Sequence, residues 1–304
     1  MKLKITYLLF FVGLSLFGQD ASFNNQYLFN LLQVNPAYSG TSEKIEVVAG
    51  SKLQWLGGLS GTPVTHYLSA NTLLGSTNMG IGLSFQHETL GLLNNTNLLV
   101  DLSYHIQLYK DQYLSLGIKS GLNILSVNLD NVETVDQGDI YLSGNDSESF
   151  ITSGFGAFYY SKKLYLGLSI PKLMSNDITL FDGNTAMEEQ NPIYIIAGTY
   201  YNLNSKWKLR PSLLLRYESD NRNVIDLNAQ FIYDDKYWIG TGYKTSKNAI
   251  FIAQYKHNDK FKFGYSFDYP LSAANQLSTF QTHELLLSYS FLTKSSIYVS
   301  PRFF

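Results

Sequence analysis

Cysteine is absent from this chain. That excludes disulfides, thiolate nucleophiles, sulfur-ligated metals and an acylated lipoprotein N-terminus together. Charge is sparse as well: charged residues make up 15% of the 304, against about 25% in ordinary soluble domains. A formal net charge of −2 offers no basic surface for nucleic acid. Beyond the N-terminus no apolar run approaches the roughly 20 residues a membrane-crossing helix needs. Low-complexity linkers and helical repeats are missing too.

The N-terminus reads M-K-L-K-I-T-Y-L-L-F-F-V-G-L-S-L-F-G-Q-D, with Lys2 and Lys4 ahead of an apolar stretch from Ile5 to Phe17. This is the layout of a secretory signal peptide cut after Gly18, and the apolar stretch is too short for an anchor helix. Export follows, with 1–18 as signal peptide, 19–43 as an N-terminal segment and 44–304 as the main domain.

Aromatic residues, by contrast, are abundant: 15% of the chain, including 23 tyrosines. Between Asp259 and Tyr269 the sequence is D-K-F-K-F-G-Y-S-F-D-Y. A strand places Phe261, Phe263, Tyr265, Phe267 and Tyr269 on one face and Lys260, Lys262, Gly264, Ser266 and Asp268 on the other. A length near ten residues and an unbroken aromatic face suit a strand between lipid and a wet lumen. Similar alternation recurs, as in Met79, Ile81, Leu83 and Phe85, or Ile225, Leu227, Ala229, Phe231 and Tyr233. Strands are expected at 44–55, 63–74, 78–88, 95–108, 112–126, 150–161, 163–171, 192–202, 206–218, 223–234, 236–245, 248–258, 260–269 and 281–293.

The connections sort by parity. After the even strands they are short (75–77, 109–111, 162, 203–205, 235 and 259), while several after odd strands are long (127–149, 172–191 and 270–280). Short turns at one end and long loops at the other are the habit of bacterial transmembrane barrels, with the turns periplasmic. A sandwich has no reason to sort its loops this way. The expected fold is all-β, an antiparallel outer-membrane β-barrel of about 14 strands. The segment before it, rich in Asn and broken by Asn35-Pro36 and Ser39-Gly40, belongs in the lumen as a plug or at the periplasmic mouth, because lipid does not host irregular backbone.

Chemistry is thinly represented. His87-Glu88 and His283-Glu284 do not extend to H-E-x-x-H, and adjacent strand residues point to opposite faces, so neither pair chelates one ion. No G-x-S-x-G elbow occurs. A barrel lipase would put Ser and His on neighbouring strands, which sequence does not decide. An inward Ser–His pair within hydrogen-bond distance is the feature that would favour it. The acidic loop with Asp130, Glu133, Asp136, Asp139, Asp146 and Glu148 lacks the D-x-[DN]-x-[DN]-G ladder of a calcium loop and reads as solvated. Lys206, Lys208, Arg210 and Arg216 line the lumen or pair with Asp226 or Asp234 on the next strand, the pairing being favoured by charge balance. No cofactor or metal is expected.

Gln26-Tyr27-Leu28-Phe29-Asn30 followed by Asn35-Pro36-Ala37-Tyr38-Ser39-Gly40 resembles the N-terminal signature of the PorP/SprF family of Bacteroidota. Gly264-Tyr265-Ser266-Phe267-Asp268-Tyr269-Pro270-Leu271-Ser272, His283-Glu284-Leu285 and Pro301-Arg302-Phe303-Phe304 are similar to its later segments, with Thr282 departing from a small Gly/Ser pair. The resemblance implies a noncatalytic outer-membrane component of the type IX secretion system. It implies as partners the secretion or gliding machinery and a large secreted adhesin with a C-terminal sorting domain, whose export or surface attachment is supported. Asn35, Pro36, Ala37, Tyr38, Gly40, Phe303 and Phe304 become the candidate partner-binding residues. Phe304 has a second reading, as the terminal aromatic that barrel insertion recognises. Pro301 stands between it and the last strand, which makes 281–293 the alternative signal. A channel for small or hydrophobic solutes is the rival function.

Overall fold

The computed structural model describes residues 25–42, 44–56, 61–75, 77–128, 145–173, 177–180, 184–188, 191–218, 223–271 and 281–291. The signal-peptide reading, most of the acidic loop, Phe303 and Phe304 lie outside them.

Fourteen antiparallel strands close on themselves. They are β1 (Ile45–Leu56), β2 (Val64–Leu73), β3 (Met79–Leu90), β4 (Leu93–Tyr109), β5 (Gln112–Asn128), β6 (Asn145–Ser161), β7 (Leu164–Ile170), β8 (Ile193–Thr199), β9 (Trp207–Tyr217), β10 (Val224–Tyr233), β11 (Tyr237–Lys244), β12 (Asn248–Lys256), β13 (Phe261–Pro270) and β14 (Gln281–Phe291). Each pairs with its sequence neighbour, and β1 pairs with β14, Ile45 opposite Phe291. Tyr201–Asn202 adds a short pairing beside β9. Within the expected 172–191 loop, Asp177–Leu180 and Asn184–Glu188 form a small separate hairpin. The expected 127–149 loop is also shorter than the sequence suggests, because β5 runs on to Asn128 and β6 starts at Asn145.

Parity holds at the even links, whose tightest turns are 110–111 and 162–163. Two odd links are tight as well: 91–92, where Gly91 takes φ +59°, and 245–247, where Lys247 takes φ +65°. The left-handed residues that close such turns are cheap for Gly and tolerable for Asp, here Asp111, Asp234 and Asp235.

Alternation assigns the two faces. Leu83, Leu98, Ile118, Ile151, Phe251 and Leu285 point outward and are exposed, as a lipid-facing band requires. On β13, Phe263, Tyr265 and Tyr269 are exposed while Gly264, Ser266 and Asp268 are buried inside. Aromatic pairs gird the turn end, with Trp207 against Tyr233 at 4.9 Å, Tyr237 against Tyr255 at 5.3 Å and Phe261 against Tyr289 at 4.6 Å. Such belts sit at the headgroup level of a bilayer. The outward face of β3–β6 turns polar toward the loop end, at His87, Thr96, Ser126 and Ser149, and this marks where the longest strands leave the lipid.

Candidate functional site

Residues 25–42 lie inside the barrel. Almost all of them are buried, in three one-turn 3₁₀ helices at Tyr27–Phe29, Leu31–Gln33 and Pro36–Tyr38. The segment descends from Asn25, beside Lys244 and Asp268 near the loop ends of β11 and β13, to Gly40 beside Gly80 at the turn end of β3. Its backbone is irregular, so its amides and carbonyls need partners from the wall.

The wall supplies them. The Glu284 carboxylate on β14 accepts from the Asn25 amide at 2.8 Å, from the Gln26 amide at 3.2 Å and from the Tyr67 hydroxyl at 2.9 Å. Lys119 donates to the Leu32 carbonyl at 3.1 Å while paired with Asp101 at 3.1 Å. Ser169 donates to the Val34 carbonyl at 2.7 Å, and Arg210 to the Leu28 carbonyl at 3.2 Å. Asn228 reaches the Tyr27 hydroxyl at 3.3 Å. Burial, reinforced by nearby Asp226, pushes that phenol well above its usual range, so Tyr27 stays protonated.

The motif 35–40 is explained position by position. Asn35 caps the turn by accepting from the Ala37 amide at 2.9 Å and donates to the Ala157 and Leu168 carbonyls at 3.0 and 3.3 Å. Pro36 occupies the first helical position, where its missing N–H costs nothing. Ala37 rests on Gly117 and Asn35 on Gly156; a Cβ on either glycine would stand 2.4 and 2.1 Å from them. Tyr38 packs edge-on against Phe158 at 5.5 Å. Gly40 has φ +72° and sits against Gly80, which leaves no room for a Cβ on either.

The carbonyl of Ser39 accepts from Ser103 at 2.7 Å and from His105 Nε2 at 2.9 Å, while Tyr160 donates to His105 Nδ1 at 2.9 Å. Ser103 and His105 are 3.2 Å apart and face inward, the spacing a barrel hydrolase would use. Their hydrogen-bond roles are those of a clamp. Both the Ser103 proton and the His105 Nε2 proton are spent on Ser39, so this nitrogen does not accept a proton from the serine. The two side chains hold the segment.

An apolar contact reinforces the polar ones. Tyr27, Leu28, Leu31, Leu32, Val34, Ala37 and Tyr38 form one core with wall residues on β5 to β9, among them Phe158, Tyr160, Ile196 and Leu214. These wall positions depart from a polar lumen. The stretches F-G-A-F-Y-Y and I-Y-I-I-A-G carry apolar residues on both faces, and that double-sided pattern is the sequence signal for a filled interior.

The other expected sites resolve as follows. His283 lies outside, bonded to Tyr265 at 2.7 Å, while its neighbour Glu284 lies inside. His87 binds Thr96 at 2.8 Å, and Glu88 accepts from Thr65 at 3.4 Å. Among the described residues no group of three metal-ligating side chains converges. The pairing expected for the β9 cations is corrected for Lys208, which pairs with Asp235 in the β10–β11 turn, because Asp234 takes Lys236 instead. Arg216 pairs with Glu218, just past the end of its own strand. Arg210 is held by the inner segment, stacked on Phe29 at 5.2 Å.

Comparison with known proteins adds two findings. The profile of one family, described as "Type IX secretion system membrane protein PorP/SprF", matches residues 16–289. No curated protein matches the sequence. Among solved structures, the chain is similar to the CymD monoaromatic hydrocarbon channel, with a TM-score of 0.53 at 13% identity over 90% of this chain and 94% of that one. It is also similar to a Pseudomonas aeruginosa FadL homologue, with a TM-score of 0.49 at 12% identity over 84% and 92%. At such identity the likeness is one of fold.

Proposed function

The chain belongs to the PorP/SprF family and is a membrane component of the type IX secretion system, and from that premise we propose that it acts as a filled, noncatalytic outer-membrane scaffold for a secreted protein. The client is a large adhesin-like protein with a C-terminal sorting domain, whose export or surface attachment the barrel supports through its loop end. The observation that carries this reading is the seating of residues 25–42 in the lumen by hydrogen bonds from strands all around the wall. A solute channel needs an open path, and here buried side chains occupy it. Asn35, Pro36, Ala37, Tyr38 and Gly40 serve this reading by fixing the segment, with Phe303 and Phe304 as the remaining candidate contacts with the machinery.

The test is deletion of the gene, with surface display of large secreted proteins and uptake of small solutes measured in parallel. Loss of display of one such protein with uptake intact supports the scaffold. Loss of uptake with display intact, together with steady conductance of the purified barrel in a planar bilayer, supports the solute channel instead.

A further inference from the structure

The turn-end mouth of the barrel, below the inner segment, carries several cations. Lys256 and Lys262 stand directly opposite each other across β12 and β13. Like charges so placed repel, because cross-strand side chains begin about 5 Å apart. Lys262 also lies within electrostatic reach of Arg210 and Lys44. Lys256 has Asp259 at 2.6 Å, whereas Lys262 makes no ion pair with any described residue.

The same mouth holds two buried donors without an acceptor among the described residues, Arg210 Nε and Trp238 Nε1. They are linked through Phe29, which Arg210 covers at 5.2 Å and Trp238 meets edge-on at 6.4 Å. Leaving a buried donor unmade is costly, and opposed ammonium groups add to that. A lysine with no ion pair among the described residues, set opposite a second lysine and on the same side as two idle donors, describes a receptor for negative charge.

The arrangement selects the kind of anion. The donors are spread from β9 to β13, four interstrand steps or up to about 19 Å along the wall. One phosphate does not reach them all. Arg210 already donates from Nη2 to the Leu28 carbonyl, and its Nε is a buried donor left over. The aromatic floor of Phe29 and Trp238 suits an organic chain. We propose that this mouth binds an acidic segment of another polypeptide, its carboxylates taken by Lys262, Lys256 and Arg210. Since turns face the periplasm in bacterial barrels, the partner approaches from that side. The inference stands apart from the loop-end function proposed above.

The experiment uses the full mature barrel in detergent micelles, with anisotropy of a fluorescein-labelled hexaglutamate peptide as the readout and inorganic phosphate as competitor. Saturable binding is expected. Lys262→Met should weaken it at least about tenfold, as loss of a desolvated charge partner does, and Lys262→Arg should restore it. Lys163→Met, at an exposed lysine in the β6–β7 turn, should leave it unchanged. If Lys262→Met does not fold, by its migration in unheated gels, Lys256→Gln takes its place with the same expectation. Binding indifferent to both substitutions, or reduced equally by Lys163→Met, overturns the proposal. Displacement by phosphate at equal concentration overturns the assignment to a polypeptide.

Discussion

Asn25 and Glu284 are 259 positions apart in the chain, and the amide of the first donates to the carboxylate of the second at 2.8 Å. This contact fixes the upper end of the inner segment to β14, next to the β1–β14 seam that closes the barrel.

Replacing Glu284 with Ala removes the acceptor shared by Asn25, Gln26, Tyr67 and Ser266. The stranded donors should cost on the order of 3 kcal/mol. Urea unfolding from lipid vesicles should show that loss, and planar-bilayer recording should show conductance absent from the wild type. An unchanged unfolding midpoint with no new conductance would mean that the carboxylate anchors nothing.

Gly117 and Gly156 leave the space that Ala37 and Asn35 occupy. Gly117→Val or Gly156→Val should therefore expel the 35–37 turn or shift the wall, costing about 1–3 kcal/mol or more. A cysteine placed at Ala37 should become reactive to a soluble maleimide in either variant and stay protected in the parent.

Asn35 combines a cap with two donated hydrogen bonds. Asn35→Ala should lower stability by about 1–2 kcal/mol. Asn35→Asp keeps the capping oxygen but loses the donors, and it places a charge beside two carbonyls, so it should be the worse variant. Paired denaturant titrations rank them.

Ile118 and Lys119 are adjacent and make opposite demands. Ile118 is 61% exposed on the lipid face, while Lys119 is buried against Asp101. Ile118→Arg should cost about 2–4 kcal/mol in vesicle refolding. Lys119→Met should cost about 3–5 kcal/mol, because it leaves the Asp101 charge buried and unpaired. Equal tolerance of an apolar residue at both positions would contradict the assignment of faces.

Much of the fold is legible without coordinates. Period-two alternation, as from Phe261 to Tyr269, states which side chains meet lipid. The parity of the links states that the strands run up and down between two unlike ends, short turns at one and long loops at the other, as in bacterial transmembrane barrels. Tight turns at Asp111 and Asp234 follow from the few residues that accept positive φ. The extent of β5 and β6 was less legible, since beyond the lipid their outer face turns to serine, at Ser126, Ser147 and Ser149, and the alternation signal fades.

The inner segment was legible only as something barred from lipid. Its motif identified the family, yet nothing local says that Asn35 would meet carbonyls of β6 and β7, or that Glu284 would receive Asn25. Alternation is a property of neighbours along one strand, and therefore the sequence alone could decide which residues face in and which face out. What the inward residues hold depends on closure, which brings strands hundreds of residues apart around one lumen, and only the tertiary structure could settle that.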